Sequence, residues 1–159
     1  MNKSVLMQSI IEQLTEKKDM LIRSTQAAHE AATHEESSAE HRYDTRGLEA
    51  SYLAGAQAKR VAELEQTIQI LQRIECRAFE ENEPIAVNAL VQLEGDEGEV
   101  WYFIVPRAGG LKLSHQGQEI AVLTPKSPLA QKLLGAKVGD EIDVRVRNRI
   151  LEYDVLAVL

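Results

Sequence analysis

Two long stretches with helical apolar spacing, joined by an acidic segment, constrain this fold most. From about Ser4 to Thr33 the chain contains no Pro or Gly, and from Leu48 to about Phe79 apolar residues step by three and four positions. This spacing predicts two amphipathic helices of roughly 30 residues, which at about 1.5 Å per residue form an antiparallel coiled-coil hairpin on the order of 45 Å long. The apolar positions are Met7, Ile10, Ile11, Leu14, Met20 and Leu21 in the first stretch and Val61, Leu64, Ile68, Leu71 and Ile74 in the second.

The segment between the helices, residues 34–47 (HEESSAEHRYDTRG), is the predicted tip of the hairpin. It contains four carboxylates and no large aliphatic side chain; the carboxylates are Glu35, Glu36, Glu40 and Asp44. Composition alone favours a solvated charged turn. A long arm buries little surface per residue, however, and a partner that receives the tip is the alternative interpretation.

The composition is that of a globular protein, with 44% hydrophobic and 27% charged residues in 159. There is no apolar run of about 18 residues, so we expect no membrane partner. The first residues lack a cleavage site for a signal peptide, and the single Cys76 cannot form an internal disulfide. We therefore expect a cytoplasmic protein.

The net charge of −7 is concentrated in the first two thirds of the chain. Residues 1–106 carry 10 Lys and Arg against 19 Asp and Glu, whereas residues 107–159 carry 8 against 6. Sequence-independent binding to duplex DNA depends on Lys and Arg that neutralise phosphates. We expect weak or no direct binding to duplex DNA.

The periodicity changes near Asn82 to Pro84, which predicts a boundary between residues 1–80 and residues 81–159. Alternating apolar residues predict a small antiparallel sheet. A compact helix starts at Ser127, a good N-cap, with Pro128 in its first turn and Gly135 just past its end. The fold class is therefore α+β, a helical hairpin followed by a sheet with one short helix. The predicted strands are 87–93, 100–105, 120–123, 142–146 and 150–159.

The segment Thr124-Pro-Lys-Ser-Pro-Leu-Ala-Gln-Lys-Leu-Leu134, followed by Gly139-Asp140, resembles the C-terminal signature of the bacterial Gre transcript cleavage factors. The likeness extends over nearly the whole chain, because the family combines an N-terminal coiled coil with a domain similar to FKBP-type proteins. Two residues depart from the signature: Thr124 stands where Ser is usual and Lys132 where a small residue is usual.

This resemblance implies a mechanism in which the chain is not itself an enzyme. The C-terminal domain would dock on bacterial RNA polymerase at its secondary channel, and the tip would reach down the channel towards the RNA 3′ end. Tip carboxylates would help to hold the second catalytic Mg²⁺ of the polymerase, so the factor needs no cofactor of its own and the polymerase cuts backtracked RNA. The matching segment supplies the expected contact residues, namely Lys126, Ser127, Pro128, Gly139 and Asp140.

The tip departs from the family pattern, in which an Asp is followed three residues later by a Glu. Aligning back from Arg60 places Glu40 at the Asp and Tyr43 at the Glu, with Asp44 one step further on. On a helix Glu40 and Asp44 would lie on one face, so they are the candidate catalytic acids. Stimulated cleavage and channel occupancy without cleavage both remain open.

Two other classes of function are weaker interpretations. A peptide-binding or prolyl-isomerase module needs an aromatic pocket, but aromatic residues are only 4% of the chain. A simple dimerisation rod would not need an acidic tip. His34-Glu35-Glu36-Ser37-Ser38 lacks the second His of a zinc protease motif, so we expect no stable metal site in the free protein.

Overall fold

The computed structural model describes residues 1–36, 46–80 and 82–159, and for residues 32, 35, 36 and 46–52 only the backbone. Two long helices come first, α1 (Lys3–Glu36) and α2 (Arg46–Gln72). A sheet of six strands with one short helix follows, which confirms the predicted α+β class. The candidate acids Glu40 and Asp44 lie outside the described residues.

The apolar seam of the helices is buried near their ends away from residues 37–45. The buried members are Leu6, Met7, Ile10, Leu14, Ile68 and Leu71. Further along, Thr25 Oγ1 in α1 lies 2.7 Å from Gln57 Oε1 in α2. Met20, which was expected among the buried apolar positions, is 59% exposed. Leu21 lies seven residues after the buried Leu14 and so on the same side of the helix, whereas Met20 lies about 100° around the helix from Leu21.

The second helix is shorter than expected. It ends at Gln72 rather than near Phe79, and residues 74–80 have no regular helix or strand. Along this segment Ile74, Cys76 and Phe79 are half-buried. Phe79 packs against the core of the sheet, a long-range contact that outweighs the helical pattern of its local sequence.

The sheet is mostly antiparallel, with the strand order β3-β4-β2-β1-β6-β5. The strands are β1 (Leu90–Gly95), β2 (Gly98–Ile104), β3 (Lys112–His115), β4 (Gln118–Leu123), β5 (Glu141–Val146) and β6 (Arg149–Val158). One pair, β2 with β4, is parallel, and β3 was not predicted. The strand expected from residue 87 begins at Leu90, because Val87 and Asn88 form a turn in which Asn88 has a positive φ of 75°.

The core of the sheet lies under α3 (Pro128–Leu133), which packs against β5. Leu133 joins a buried cluster with Val91, Leu93, Ile142 and Val155. By its contacts the chain divides into two compact units, residues 11–72 and residues 1–10 with 73–159. Compactness is not independent folding, so the predicted domain boundary between residues 80 and 81 stays a prediction.

Candidate functional site

The start of α3 holds three of the predicted contact residues. The Ser127 hydroxyl accepts a hydrogen bond from the Ala130 backbone N–H at 3.2 Å, and Ser127 has an extended backbone, as an N-cap requires. Pro128 occupies the first helical position, where a missing N–H costs nothing. Lys126 and Pro128 are exposed, whereas Ser127 is half-buried. The sequence motif therefore builds a capped helix start that presents Lys126 and Pro128 to solvent.

The other two contact residues form a tight turn before β5. The Lys137 N–H donates to Asp140 Oδ2 at 2.7 Å, and the Asp140 N–H donates to the Lys137 carbonyl at 3.1 Å. Gly139 has a φ of +90°, which residues with a side chain rarely adopt. Its N–H donates to the Val155 carbonyl at 2.8 Å. Asp140 is exposed but its carboxylate also closes the turn. Any substitution of Asp140 tests structure and surface charge together.

The two groups belong to neighbouring elements of one compact unit. Asp140 immediately precedes β5, and α3 packs against β5. The loop after α3 is also fixed, because the Gly135 N–H donates to the Ile85 carbonyl at 2.8 Å and Gly135 has a φ of +91°. This confirms that Gly135 takes the left-handed conformation just past the end of the helix. The role of the five residues in binding a partner stays a prediction.

A cluster of cations around Phe79 was not predicted from the sequence. Lys3 Nζ lies 4.6 Å and the Arg77 guanidinium carbon 4.3 Å from the centre of the Phe79 ring. Lys3 is 92% buried, since only 8% of its surface is exposed, and its Nζ donates to the Asn88 carbonyl at 3.2 Å. Burial lowers the pKa of Lys3. No local sequence signal points to this cluster, because 85 residues separate Lys3 from Asn88.

Arg77 and Glu83 form a two-pronged ion pair beside this cluster. Arg77 Nη1 donates to Glu83 Oε2 at 2.9 Å, and Arg77 Nη2 bonds the other carboxylate oxygen. The Glu80 N–H donates to the same carboxylate at 3.1 Å. The Arg77 hydrogen bonds, with help from the Glu80 N–H, lower the pKa of Glu83 to about 2. The pair links two residues of the segment between α2 and β1.

A sequence profile of the family described as transcription elongation factor, GreA/GreB, C-terminal domain, matches residues 80–159. The chain belongs to the GreA/GreB family. The match includes the capped start of α3 and the Gly139–Asp140 turn of this Gre-family chain. A comparison with curated protein sequences finds no match.

Solved structures of related factors match this Gre-family chain over much of its length. GreA factor homolog 1 (Gfh1) of Thermus thermophilus is 20% identical, with 94% of each chain covered and a TM-score of 0.39. Gfh1 of Thermus aquaticus is 22% identical, with 92% of each chain covered and a TM-score of 0.40. The elongation factor GreA/GreB of Nitrosomonas europaea is 22% identical over 60% of this chain and 78% of its own, with a TM-score of 0.36.

Among the described residues, no helix has the length and apolar character that crossing a membrane requires.

Proposed function

We propose that this Gre-family chain binds bacterial RNA polymerase through the unit that contains its sheet and stimulates cleavage of backtracked RNA through its acidic tip. The observation that carries the proposal is the family match over residues 80–159, together with the capped α3 and the adjoining turn inside that match. The chain acts in the cytoplasm, where the polymerase works. It supplies charge and the polymerase performs the reaction.

The docking surface in this proposal centres on α3 and the turn before β5. Lys126 and Asp140 are exposed charges of opposite sign, and Pro128 is an exposed apolar neighbour of Lys126. A surface that combines separate charges with an apolar residue suits a protein partner, because rim charges steer and orient association. Ser127 and Gly139 contribute indirectly by holding their backbones in the capped and left-handed conformations.

The tip acids in this proposal are Glu40 and Asp44, in the segment that joins α1 and α2. Carboxylate oxygens are the ligands that Mg²⁺ prefers, and the Mg²⁺ belongs to the polymerase active site. Within the secondary channel these two residues would contribute carboxylate oxygens and orient a water molecule beside the RNA 3′ end. The long helices that flank the segment, 34 and 27 residues, support its reaching a distant site.

A second candidate function is occupancy of the channel without cleavage. Tyr43 stands at the position where the family carries its second acid, and Glu40 is one methylene longer than the Asp of the family pattern. A phenol cannot replace a carboxylate as a ligand for Mg²⁺. If Asp44 does not compensate, the factor would bind the polymerase and change its activity by obstruction alone.

Stalled, backtracked elongation complexes distinguish the two functions. RNA cleavage is measured at saturating wild-type protein, at saturating Glu40→Ala/Asp44→Ala, and with Asp96→Ala/Glu97→Ala as a control that removes two exposed acids from the β1–β2 turn. Stimulated cleavage that the tip variant loses and the control retains supports the proposal. Binding without stimulated cleavage supports the second candidate.

Docking is tested separately by the affinity for core RNA polymerase. Lys126→Glu should weaken binding, whereas Lys112→Glu, an exposed reversal on β3, should not. At the turn, Asp140→Asn keeps an oxygen that can accept from the Lys137 N–H but removes the charge, and Asp140→Ala removes both. Unchanged affinity in Lys126→Glu and Asp140→Asn would place the docking surface elsewhere.

A further inference from the structure

Strand β5 lies at one edge of the sheet and has a self-complementary sequence. Its residues alternate, with Ile142 and Val144 buried and Glu141, Asp143 and Arg145 exposed. An edge strand presents unpaired backbone N–H and C=O groups, which can pair with another strand. The side chains of β5 determine which strand can pair with this edge.

The backbone groups that face the open edge follow from the pairing of β5 with β6. The Val155 N–H donates to the Asp140 carbonyl at 3.0 Å, so Asp140 directs its carbonyl towards β6. Backbone groups of an antiparallel strand alternate between its two sides. Residues 142, 144 and 146 therefore bond to β6, and residues 141, 143 and 145 direct their N–H and C=O groups to the open edge.

We propose that β5 pairs antiparallel with β5 of a second copy of this chain, about a two-fold axis at Val144. Asp143 then lies opposite Arg145 of the second copy, and by symmetry Arg145 lies opposite Asp143 of the second copy. Opposed residues in an antiparallel pair share a face of the sheet, so these ion pairs form on the exposed face. On the other face Val144, which is already buried in the core of its own sheet, lies opposite its symmetry mate. The interface is isologous and closes as a dimer.

The charges select this register over its neighbours. Sliding one strand by two residues along the other keeps the outward-facing backbone groups paired. The slide moves the two-fold axis to residue 143 or to residue 145. The first shift sets Glu141 opposite Arg145 but opposes Asp143 to itself, and the second opposes Arg145 to itself. Among the three registers, only the axis at Val144 sets no like charges of β5 opposite each other. Directly opposed like charges destabilise a strand pair, whereas opposite charges contribute about 0.2–1 kcal/mol. The pattern Asp-Val-Arg thus favours the axis at Val144.

The sheet itself leaves both charges available to a second copy. Asp143 lies directly opposite Glu152 of β6, and Arg145 lies opposite Ile150. In the described part of the chain, neither Asp143 nor Arg145 takes part in an ion pair. Arg145 of the second copy would reach the free side of Asp143 and offset the repulsion from Glu152. Val146, which is 45% exposed, would be covered by Ile142 of the second copy.

The expected association is weak, because a pair of six-residue strands buries little area compared with stable interfaces, which bury about 1,200–2,000 Å². Sedimentation equilibrium of the full chain should therefore show a mass that rises with concentration from 17.7 kDa towards twice that value. Salt should weaken the dimer, because its ion pairs are exposed. The experiment uses the chain alone, so its outcome does not depend on the proposed function.

Charge reversal at one position should break the dimer, and combining two reversals should restore it. Asp143→Arg opposes Arg to Arg and Arg145→Asp opposes Asp to Asp, so each alone should weaken association about tenfold or more. A mixture of the two variants opposes Arg to Asp at both positions and should form a heterodimer. The double variant Asp143→Arg/Arg145→Asp should self-associate like the wild type.

Two reversals of the same type, away from β5, serve as controls: Asp96→Arg and Arg107→Asp, both at exposed residues outside the strands. Circular dichroism checks that each variant is folded. A wild-type chain that stays monomeric at millimolar concentration overturns the proposal. A dimer that all four single reversals leave unchanged, as pairing through the helices would, also overturns it.

Discussion

The ring of Tyr153 lies directly over Gly95. The two residues are cross-strand partners in β1 and β6, and a Cβ added at Gly95 would lie 2.9 Å from both Cδ1 and Cε1 of the ring. Real Cβ atoms do not approach other atoms so closely, so the strand pair accepts the aromatic ring because residue 95 has no side chain.

Gly95→Ala should lower the free energy of unfolding by about 1–3 kcal/mol, because the ring must shift from its packed position. Urea denaturation measures the change. Gly55→Ala is the matched control, since Gly55 lies in α2 with no atom within 4 Å of an added Cβ and should gain about 0.5–1 kcal/mol. In the Tyr153→Ala background Gly95→Ala should cost much less, and a purely additive double mutant would show that the ring is not the cause.

Ser127→Ala should destabilise the protein by about 1 kcal/mol, because the Ala130 N–H loses its acceptor at the start of α3. Thermal or urea unfolding measures the difference. Ser127→Asp retains an acceptor and should recover most of the stability. Ser114→Ala, an exposed serine on β3, should stay within about 0.5 kcal/mol of the wild type. An equal loss at Ser114 would contradict the capping role.

The Arg77–Glu83 ion pair should make stability depend on acid pH. The pKa of Glu83 falls from 4.5 to about 2 on folding, so its contribution is present above pH 4.5 and is lost as the pH falls towards 2. Arg77→Gln should therefore be less stable than the wild type at pH 7, and this gap should narrow as the pH falls towards 2. Glu83→Gln should remove this acid-dependent part, which urea unfolding at a series of pH values can measure.

The Tyr102 phenol should make stability depend on alkaline pH. Burial, with a contribution from neighbouring Tyr153, raises the pKa of Tyr102 from 10.0 to about 12. Since the raised value favours the neutral form in the folded state, the contribution is present below pH 10 and is lost as the pH rises towards 12. Tyr102→Phe should flatten this part of the stability profile. Absorbance titration of the phenol, with Tyr153→Phe lowering the pKa of Tyr102, provides the second readout.

Most of the fold could be predicted, because apolar spacing and capping residues within a single element indicate its type and its ends. Both long helices follow from apolar spacing, and the first also from the absence of Pro and Gly. Ser127, Pro128 and Gly135 predicted both ends of α3. Strand β3 was missed because Leu113 is its only buried residue, too little for an alternating pattern. The parallel pairing of β2 with β4 joins strands that are not consecutive in the chain, and hydrophobic alternation carries no information about such neighbours.

Some parts of the candidate site could likewise be predicted from local sequence, and others depend on contacts between distant segments. The geometry at both ends of α3 could be predicted, because caps and left-handed positions have residue preferences that the sequence displays. Gly139 and Asp140 were selected from the family resemblance, and their role in binding stays a prediction. The cluster of Lys3, Phe79 and Arg77 could not be predicted, because it depends on contacts between distant segments. Asp140 was predicted as a surface charge, yet its carboxylate also closes a turn, a role visible only from the bond to the Lys137 N–H.

The compact unit of residues 1–10 and 73–159 joins distant parts of the chain, so it can fold only late during synthesis. Lys3 is made 85 residues before its acceptor, Asn88. Strand β1 then waits with one side unpaired until β6, the last strand in chain order, emerges from the exit tunnel. Because long-range pairing is slow and open strand edges aggregate, nascent chains that lack β6 expose the edge of β1 to aggregation.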